Sequence, residues 1–278
     1  MSNIYSREGI GTHWWFEVLG SNAFAKSTQT TIDRVMDEFN RDYTRFTDTS
    51  YVGRLNTKKT LTNFPVELYD MLVVARDMYR ASDGVFDISV GGVLHGLGYG
   101  DRKHRGKVVP NFWDEVKLTR DKIVIPSESV IDLGGLGKGW LIDKLVAAMQ
   151  ERGHKQFIVN GGGDMYVCSD TPIEIALQHP TKHDESIGII PMTHGALAVS
   201  SSVMRTWQHD GQTHHHIIDP ATSQSSQSSI ISTYVRADTA LIADIMATIL
   251  LIKPELDACL SKKFHLQTIL LQSDQPEL

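Results

Sequence analysis

At 278 residues, 41% of them apolar and 22% charged, the chain is long enough to bury a substantial core as one large or two small domains, and the composition excludes a disordered or low-complexity protein. A formal charge of −6 with no block of like-signed side chains argues against nucleic acid or an anionic membrane as the main partner. Two cysteines, Cys168 and Cys259, are too few for a disulfide framework, Met1 to Gly11 holds no apolar signal core, and the longest apolar run, Leu241 to Ile252, is interrupted by Asp244, so the expectation is a cytoplasmic chain without a membrane anchor.

Thr12 to Leu19 reads as an opening strand. From Ser27, the apolar residues Ile32, Val35, Met36, Phe39 and Tyr43 recur at helical spacing and run out near Phe46 in a polar loop, Thr47 to Gly53. Pro65 suits the first position of a second helix with the apolar set Leu68, Met71, Leu72, Ala75 and Met78, closed by Ser82-Asp83-Gly84. The run Gly91 to Gly100 is too glycine-dense to be expected as regular strand or helix, and a basic loop, Asp101 to Lys107, follows it. Val116 to Leu118 and Lys122 to Ile125 suggest a hairpin.

A helix is expected after the next glycine run and ends at Gly153. Strands follow at Phe157 to Val159, Met165 to Cys168, Ile173 to Leu177, Ile187 to Ile190 and Ala196 to Ser200. Asp210-Gly211 closes a tight hairpin between Val203 to His209 and His214 to Ile218. Ile230 to Arg236 is a further strand, Asp238 is placed to cap a helix from Thr239 to about Ile252, and Leu266 to Leu271 supplies a last strand. Helices and strands mix without strict βα alternation, which predicts an α+β fold with mixed or antiparallel sheets and packed helices, as a single domain over 1–278.

Val130-Ile131-Asp132-Leu133-Gly134-Gly135-Leu136-Gly137-Lys138-Gly139-Trp140 passes from an apolar run through a carboxylate and four glycines into a helical pattern. Glycine lets backbone N–H groups approach a ligand, and a helix start adds unpaired donors, so the stretch reads either as a phosphate loop with Lys138 as its cation or as a tight strand-to-helix turn. Asp244 and Thr248 lie one turn apart on an almost wholly apolar helix. A carboxylate there needs a cation or several donors, which gives two readings: a hard ion such as Mg²⁺, or a wet groove in which Thr248 bonds back to the Asp244 carbonyl.

His214-His215-His216 lack the i, i+4 spacing of common zinc signatures, with His209 and His194 as the other candidate ligands. A single working imidazole and a surface cluster are the competing readings, with alternation placing His214 and His216 on one strand face. Asp132 and Asp164 beside their glycines have the plainer reading of turn caps, and Trp14, Phe46, Tyr99 and Trp140 that of core residues, with stacking on a flat ring as the alternative.

Taken in order, the motifs resemble the ApbE family of FAD:protein FMN transferases over about Gly11 to Gln272. They are Gly11-Thr12; Arg45-Phe46 with Ser50 and Arg54-Leu55-Asn56; Gly84-Val85-Phe86-Asp87-Ile88-Ser89-Val90-Gly91; Asp132 to Gly139 with Asp143; Asn160-Gly161-Gly162-Gly163-Asp164; His216-Ile217-Ile218-Asp219-Pro220; and Ala243 to Thr248. The resemblance implies a domain related to the T-fold that binds FAD and Mg²⁺, releases AMP, and attaches FMN by a phosphoester bond to a Thr or Ser of an acceptor flavoprotein.

Carried over by motif, Asp244, Thr248 and the main-chain oxygen of Gly137 would hold the metal. His216 would handle the proton of the acceptor hydroxyl, with Asp219 fixing the hairpin or orienting His216. Phe46, Tyr99, Asp132, Gly135, Lys138 and Asp164 would contact FAD. The chain departs from the family at Leu97, where Trp is common, at Gly137, where Ala is, and at Ser223, where Gly is. An FAD pyrophosphatase and a non-catalytic FAD-binding or delivery module are the alternative functions.

Overall fold

The computed structural model describes residues 3–20, 24–100, 107–182 and 184–273, so most of the expected basic loop, residues 101–106, lies outside the described residues. In chain order the elements are β1 (Ile4–Gly9), β2 (Thr12–Val18), α1 (Lys26–Tyr43), α2 (Tyr51–Lys58), β3 (Thr60–Thr62), α3 (Val66–Ala81), α4 (Gly91–Gly96) and α5 (Phe112–Glu115). Then come β4 (Lys117–Leu118), β5 (Lys122–Val124), α6 (Gly134–Glu151), β6 (Phe157–Gly161), β7 (Asp164–Gln178), β8 (Ser186–Ser201), β9 (Thr206–His209) and β10 (Gln212–His215). The last are β11 (Ile218–Asp219), β12 (Gln224–Ser225), β13 (Ile230–Ala237), α7 (Ala240–Ile252), α8 (Asp257–Phe264) and β14 (Gln267–Gln272). Helices mixed with antiparallel sheet are the α+β class expected. The chain forms two compact units: Met1–Glu38 with Leu136–Met204 and Ser229–Leu278, and Phe39–Gly135 with Arg205–Ser228.

The first unit holds an antiparallel sheet in the order β1-β2-β6-β7-β8-β13-β14. The four short strands expected between Met165 and Ser200 are two long ones, β7 and β8, with a register shift between Cys168 and Ile173. A straight 15-residue strand would carry Gln178 about 45 Å from Asp164 at roughly 3.3 Å per residue. Instead Tyr234, whose β13 neighbours pair with the near half of β8, donates its hydroxyl to the Gln178 carbonyl at 2.5 Å. The hairpin therefore folds back, and Ile175, Leu177 and Met192 pack on Ile158, Val167, Leu197 and Tyr234.

The opposite face of this sheet carries α7, with Thr233 on β13 donating its hydroxyl to the Ala247 carbonyl at 2.7 Å. Nearly every side chain of α7 is apolar, and Thr239 rather than the expected Asp238 caps it by accepting the Ile242 N–H at 3.3 Å. Where α6 meets α7, a Cβ on Gly139 would lie 2.4 Å from the Ala240 carbonyl oxygen and 2.7 Å from the Leu241 Cα, both backbone atoms that cannot swing aside. Gly139→Ala is therefore expected to cost about 3 kcal/mol, at the upper end of overpacking, and a urea midpoint equal to wild type would refute this close crossing.

In the second unit, α3 buries the five residues its periodicity marks, Leu68, Met71, Leu72, Ala75 and Met78. The loop expected at Thr47 to Gly53 gives way to α2 because the Ser50 hydroxyl accepts the Gly53 N–H at 2.8 Å, a helix cap. Asn56 on α2 grips Ile131 from both sides, its amide donating to the carbonyl at 2.9 Å and its oxygen accepting the N–H at 2.8 Å. The expectation that Gly91 to Gly100 is irregular is corrected: Gly91–Gly96 is the helix α4. Gly91 serves packing there, since a Cβ on it would stand 2.7 Å from the Val130 carbonyl oxygen, beside the Val90–Val130 bridge. These contacts fix the short segment that carries Asp132.

Candidate functional site

In the first unit, Lys138, Asp164 and Asp244 gather where α6, β7 and α7 approach one another. Asp143 on α6 accepts the Ala240 and Leu241 N–H groups at 2.8 and 3.0 Å, which satisfies the first orphan donors of α7 and sets the start of that helix. One turn further on, Asp244 is 4% exposed and takes the Gly139 N–H on Oδ2 at 2.9 Å. Its Oδ1 lies 3.8 Å from Lys138 Nζ, within ion-pair range but beyond a hydrogen bond. Burial pushes the Asp244 carboxyl up to about 7, outweighing the opposing pull of Lys138 and the Gly139 N–H.

Thr248 stands one turn beyond Asp244, with its hydroxyl 3.4 Å from that of Ser200 on β8. A buried carboxylate followed by a hydroxyl is an oxygen-only donor pair that fits a hard divalent cation. Gly137 lies inside α6, so the glycine run from Gly134 is the helix itself and not a loop preceding it. A carbonyl oxygen bonded within a helix keeps a second lone pair for a metal.

Asp164 is 1% exposed, with Oδ1 accepting the Val199 N–H at 2.9 Å and Oδ2 paired with Lys138. It is thus anchored to the sheet rather than capping its own turn.

In the second unit, Asp132 uses both carboxylate oxygens, accepting the Gly134 N–H at 2.6 Å and pairing with Arg45 Nε at 2.5 Å. Arg45 also donates to His95, while its buried Nη2 has no hydrogen-bond partner among the described residues. The guanidinium lies 4.4 Å from the Phe46 ring and 5.5 Å from the Tyr99 ring, and Phe46 is 56% exposed for so large an apolar side chain. Trp207 lies tilted against Tyr99, with ring centroids 4.9 Å apart, and donates its indole N–H to the Leu97 carbonyl at 2.6 Å. At Leu97, where the family commonly has Trp, an indole from β9 thus lies against the same backbone. Sequence motifs assign no role to Arg45 or Trp207; the signal for Arg45 is its place between Tyr43 and Phe46. Gly135 packs under Phe86, where a Cβ would be 3.1 Å from the ring.

The three histidines take three different places. His214 is buried beside Trp207 and His209. His215 is tied to the β11–β12 segment: its N–H meets the Ser225 hydroxyl at 3.0 Å and its Nε2 the Ser226 carbonyl at 3.0 Å, and burial lowers its proton affinity. His216 is half-buried at a bend, because β10 ends at His215 and strand alternation does not reach it. Asp219 holds the following turn, its carboxylate accepting the Ala221 N–H and its carbonyl the Ser223 N–H, each at 2.9 Å. Ser223, at the family's glycine position, sits at φ 55°, so the turn keeps a left-handed residue without glycine. Among the described residues no three His, Cys, Asp or Glu side chains gather as a metal site of their own.

The ApbE family model matches residues 10–268, and the chain belongs to that family. It is 28% identical to an FAD:protein FMN transferase of Vibrio cholerae, covering 84% of this chain and 75% of the relative. It is 26% identical to an enzyme of the same name from Salmonella typhimurium, covering 87% and 76%. The ApbE protein of Thermotoga maritima superposes with a TM-score of 0.84 at 20% identity, over 98% of this chain and 95% of that one. The flavin transferase ApbE of Vibrio cholerae superposes at 0.80 and 21% identity, over 98% and 94%. These superpositions bear on the fold.

Proposed function

We propose that the chain is a Mg²⁺-dependent FAD:protein FMN transferase, which cleaves FAD to AMP and flavinylates a Thr or Ser of an acceptor flavoprotein through a phosphoester bond. The observation that carries this reading is the buried Asp244, one turn from Thr248 and beside Lys138, in a chain of the ApbE family. The family match runs through segments of both units, which supports treating 1–278, with a core of about 11–272, as one functional domain. Cys168 and Cys259 are both free thiols, which supports a reducing, cytoplasmic setting with an acceptor there. Among the described residues no helix is long and apolar enough to cross a membrane.

Asp244, Thr248 and the Gly137 carbonyl would hold Mg²⁺, which when bound neutralises charge developing on the pyrophosphate. Lys138 supplies a fixed positive charge for the same phosphates, held by Asp164. Asp132 keeps Arg45 in place beneath Phe46 and next to Tyr99, a setting suited to a flat aromatic ring, while Gly135 at the start of α6 makes room for the Phe86 ring. His216 accepts the proton of the acceptor hydroxyl as its oxygen attacks the FMN phosphorus and the bond to AMP breaks; Asp219 fixes the turn that follows.

Incubation with FAD and Mg²⁺ tests the reading. AMP should appear with Mg²⁺ and disappear with a chelator. AMP accompanied by stoichiometric free FMN, even with acceptor present, would make the chain an FAD pyrophosphatase. FAD retained intact would make it a binding or delivery module.

A further inference from the structure

We propose that Asp164 is a positioning residue that holds the Lys138 ammonium beside Asp244, so that lysine and divalent cation share one carboxylate and Lys138 sets the affinity of the metal position. This rests on reading Asp244 as a metal ligand. Both oxygens of Asp164 are committed inside the protein, to the Val199 N–H and to Lys138, so its chemistry is directed at the lysine rather than at a ligand. Asp164 opens β7 and Lys138 lies on α6, so the pair ties the helix to the sheet and leaves the ammonium little freedom. From there Nζ lies 3.8 Å from Asp244 Oδ1, whereas Oδ2 is taken by the Gly139 N–H; Oδ1 is thus the oxygen that faces a cation.

The side chains of Asp164 and Asp244 are 1% and 6% exposed and that of Lys138 is 29%, so the lysine is the member of the three that a ligand arriving from solvent can touch. Two carboxylates and one ammonium sum to a single negative charge. A divalent cation inverts that sum to a single positive one, the sign a pyrophosphate requires. The ammonium therefore weakens the bare metal site and strengthens the site for a phosphate ligand.

The test is a calorimetric Mg²⁺ titration of the full chain without FAD, beside its FMN transfer rate. Lys138→Gln removes the competing cation and should bind Mg²⁺ ~10-fold tighter, while transfer falls ~100-fold. Asp164→Asn frees the lysine to move onto Asp244 and should bind Mg²⁺ ~10-fold weaker, whereas Lys138→Arg should stay within ~3-fold of wild type. A purely structural role would weaken binding in both of the first two variants. Lys138→Gln binding Mg²⁺ no tighter than wild type, or Asp164→Asn binding it no weaker, overturns the inference; if Lys138→Gln does not fold, Asp164→Asn decides alone. Wild type that binds no Mg²⁺ defeats the metal reading and this inference together, whereas normal wild-type binding with unsplit variants defeats this inference only.

Discussion

Asp244→Asn is expected to lower AMP release from FAD by about a thousandfold while leaving the metal-free protein at least as stable as wild type at pH 8. The rate effect follows from removing the one carboxylate of the proposed metal site, since Lewis-acid stabilisation of a phosphoryl transition state is worth several kcal/mol and about 1.4 kcal/mol is tenfold.

The stability effect follows from burial. Below the unfolded carboxyl's pKa of roughly 4 the group is protonated in both states and contributes nothing. Between there and about 7 the folded state keeps a proton that the unfolded state has lost, so stability falls as pH rises. Above about 7 the full penalty is present, on the order of 4 kcal/mol, and the neutral amide escapes it. The wild-type protein without metal should therefore lose stability from pH 5 to pH 8 more steeply than the variant, and added Mg²⁺ should raise its melting temperature more at pH 8 than at pH 6. An Asn variant that releases AMP at the wild-type rate would move the metal elsewhere.

Asp244 and Thr248 were legible because a helix puts residues four apart on one face, and an apolar sequence around a carboxylate announces a buried charge. The stripes of α1 and α3 were legible for the same reason of period. What the sequence hid depends on long-range pairing. Lys138 and Asp164 are 26 residues apart and meet through the order of β6 and β7 beside α6, whereas Arg45 meets Asp132 because Asn56 clamps Ile131 and the Val90–Val130 bridge sets the same segment. Gly91 and Gly139 resembled turn residues, since local reading cannot tell a glycine that must bend from one that must let another backbone pass. The short elements β1, α2, α5 and α8 gave too few residues for a period to stand out.

His216→Ala should reduce FMN transfer about a thousandfold with Mg²⁺ and FAD binding unchanged, the range expected for loss of a general base. The neighbouring residue is the internal control. His215 is buried and bonded to Ser225 and Ser226, so His215→Ala should cost about 2 kcal/mol of stability by leaving the Ser226 carbonyl unpaired. His216 stands outside β10 and is half-buried, so its loss should shift the melting temperature little. A full transfer rate in His216→Ala would remove that residue from the mechanism, and a large stability loss with proportionate loss of activity would make it structural like His215.

Transfer to protein is tested most directly by incubating the purified chain with FAD, Mg²⁺ and a flavoprotein carrying a Thr or Ser acceptor segment, then resolving the products under denaturing conditions. The account predicts yellow fluorescence retained on the acceptor band, one AMP released per flavin attached, and neither product from Asp244→Asn. An acceptor that stays dark while AMP and free FMN accumulate would contradict it.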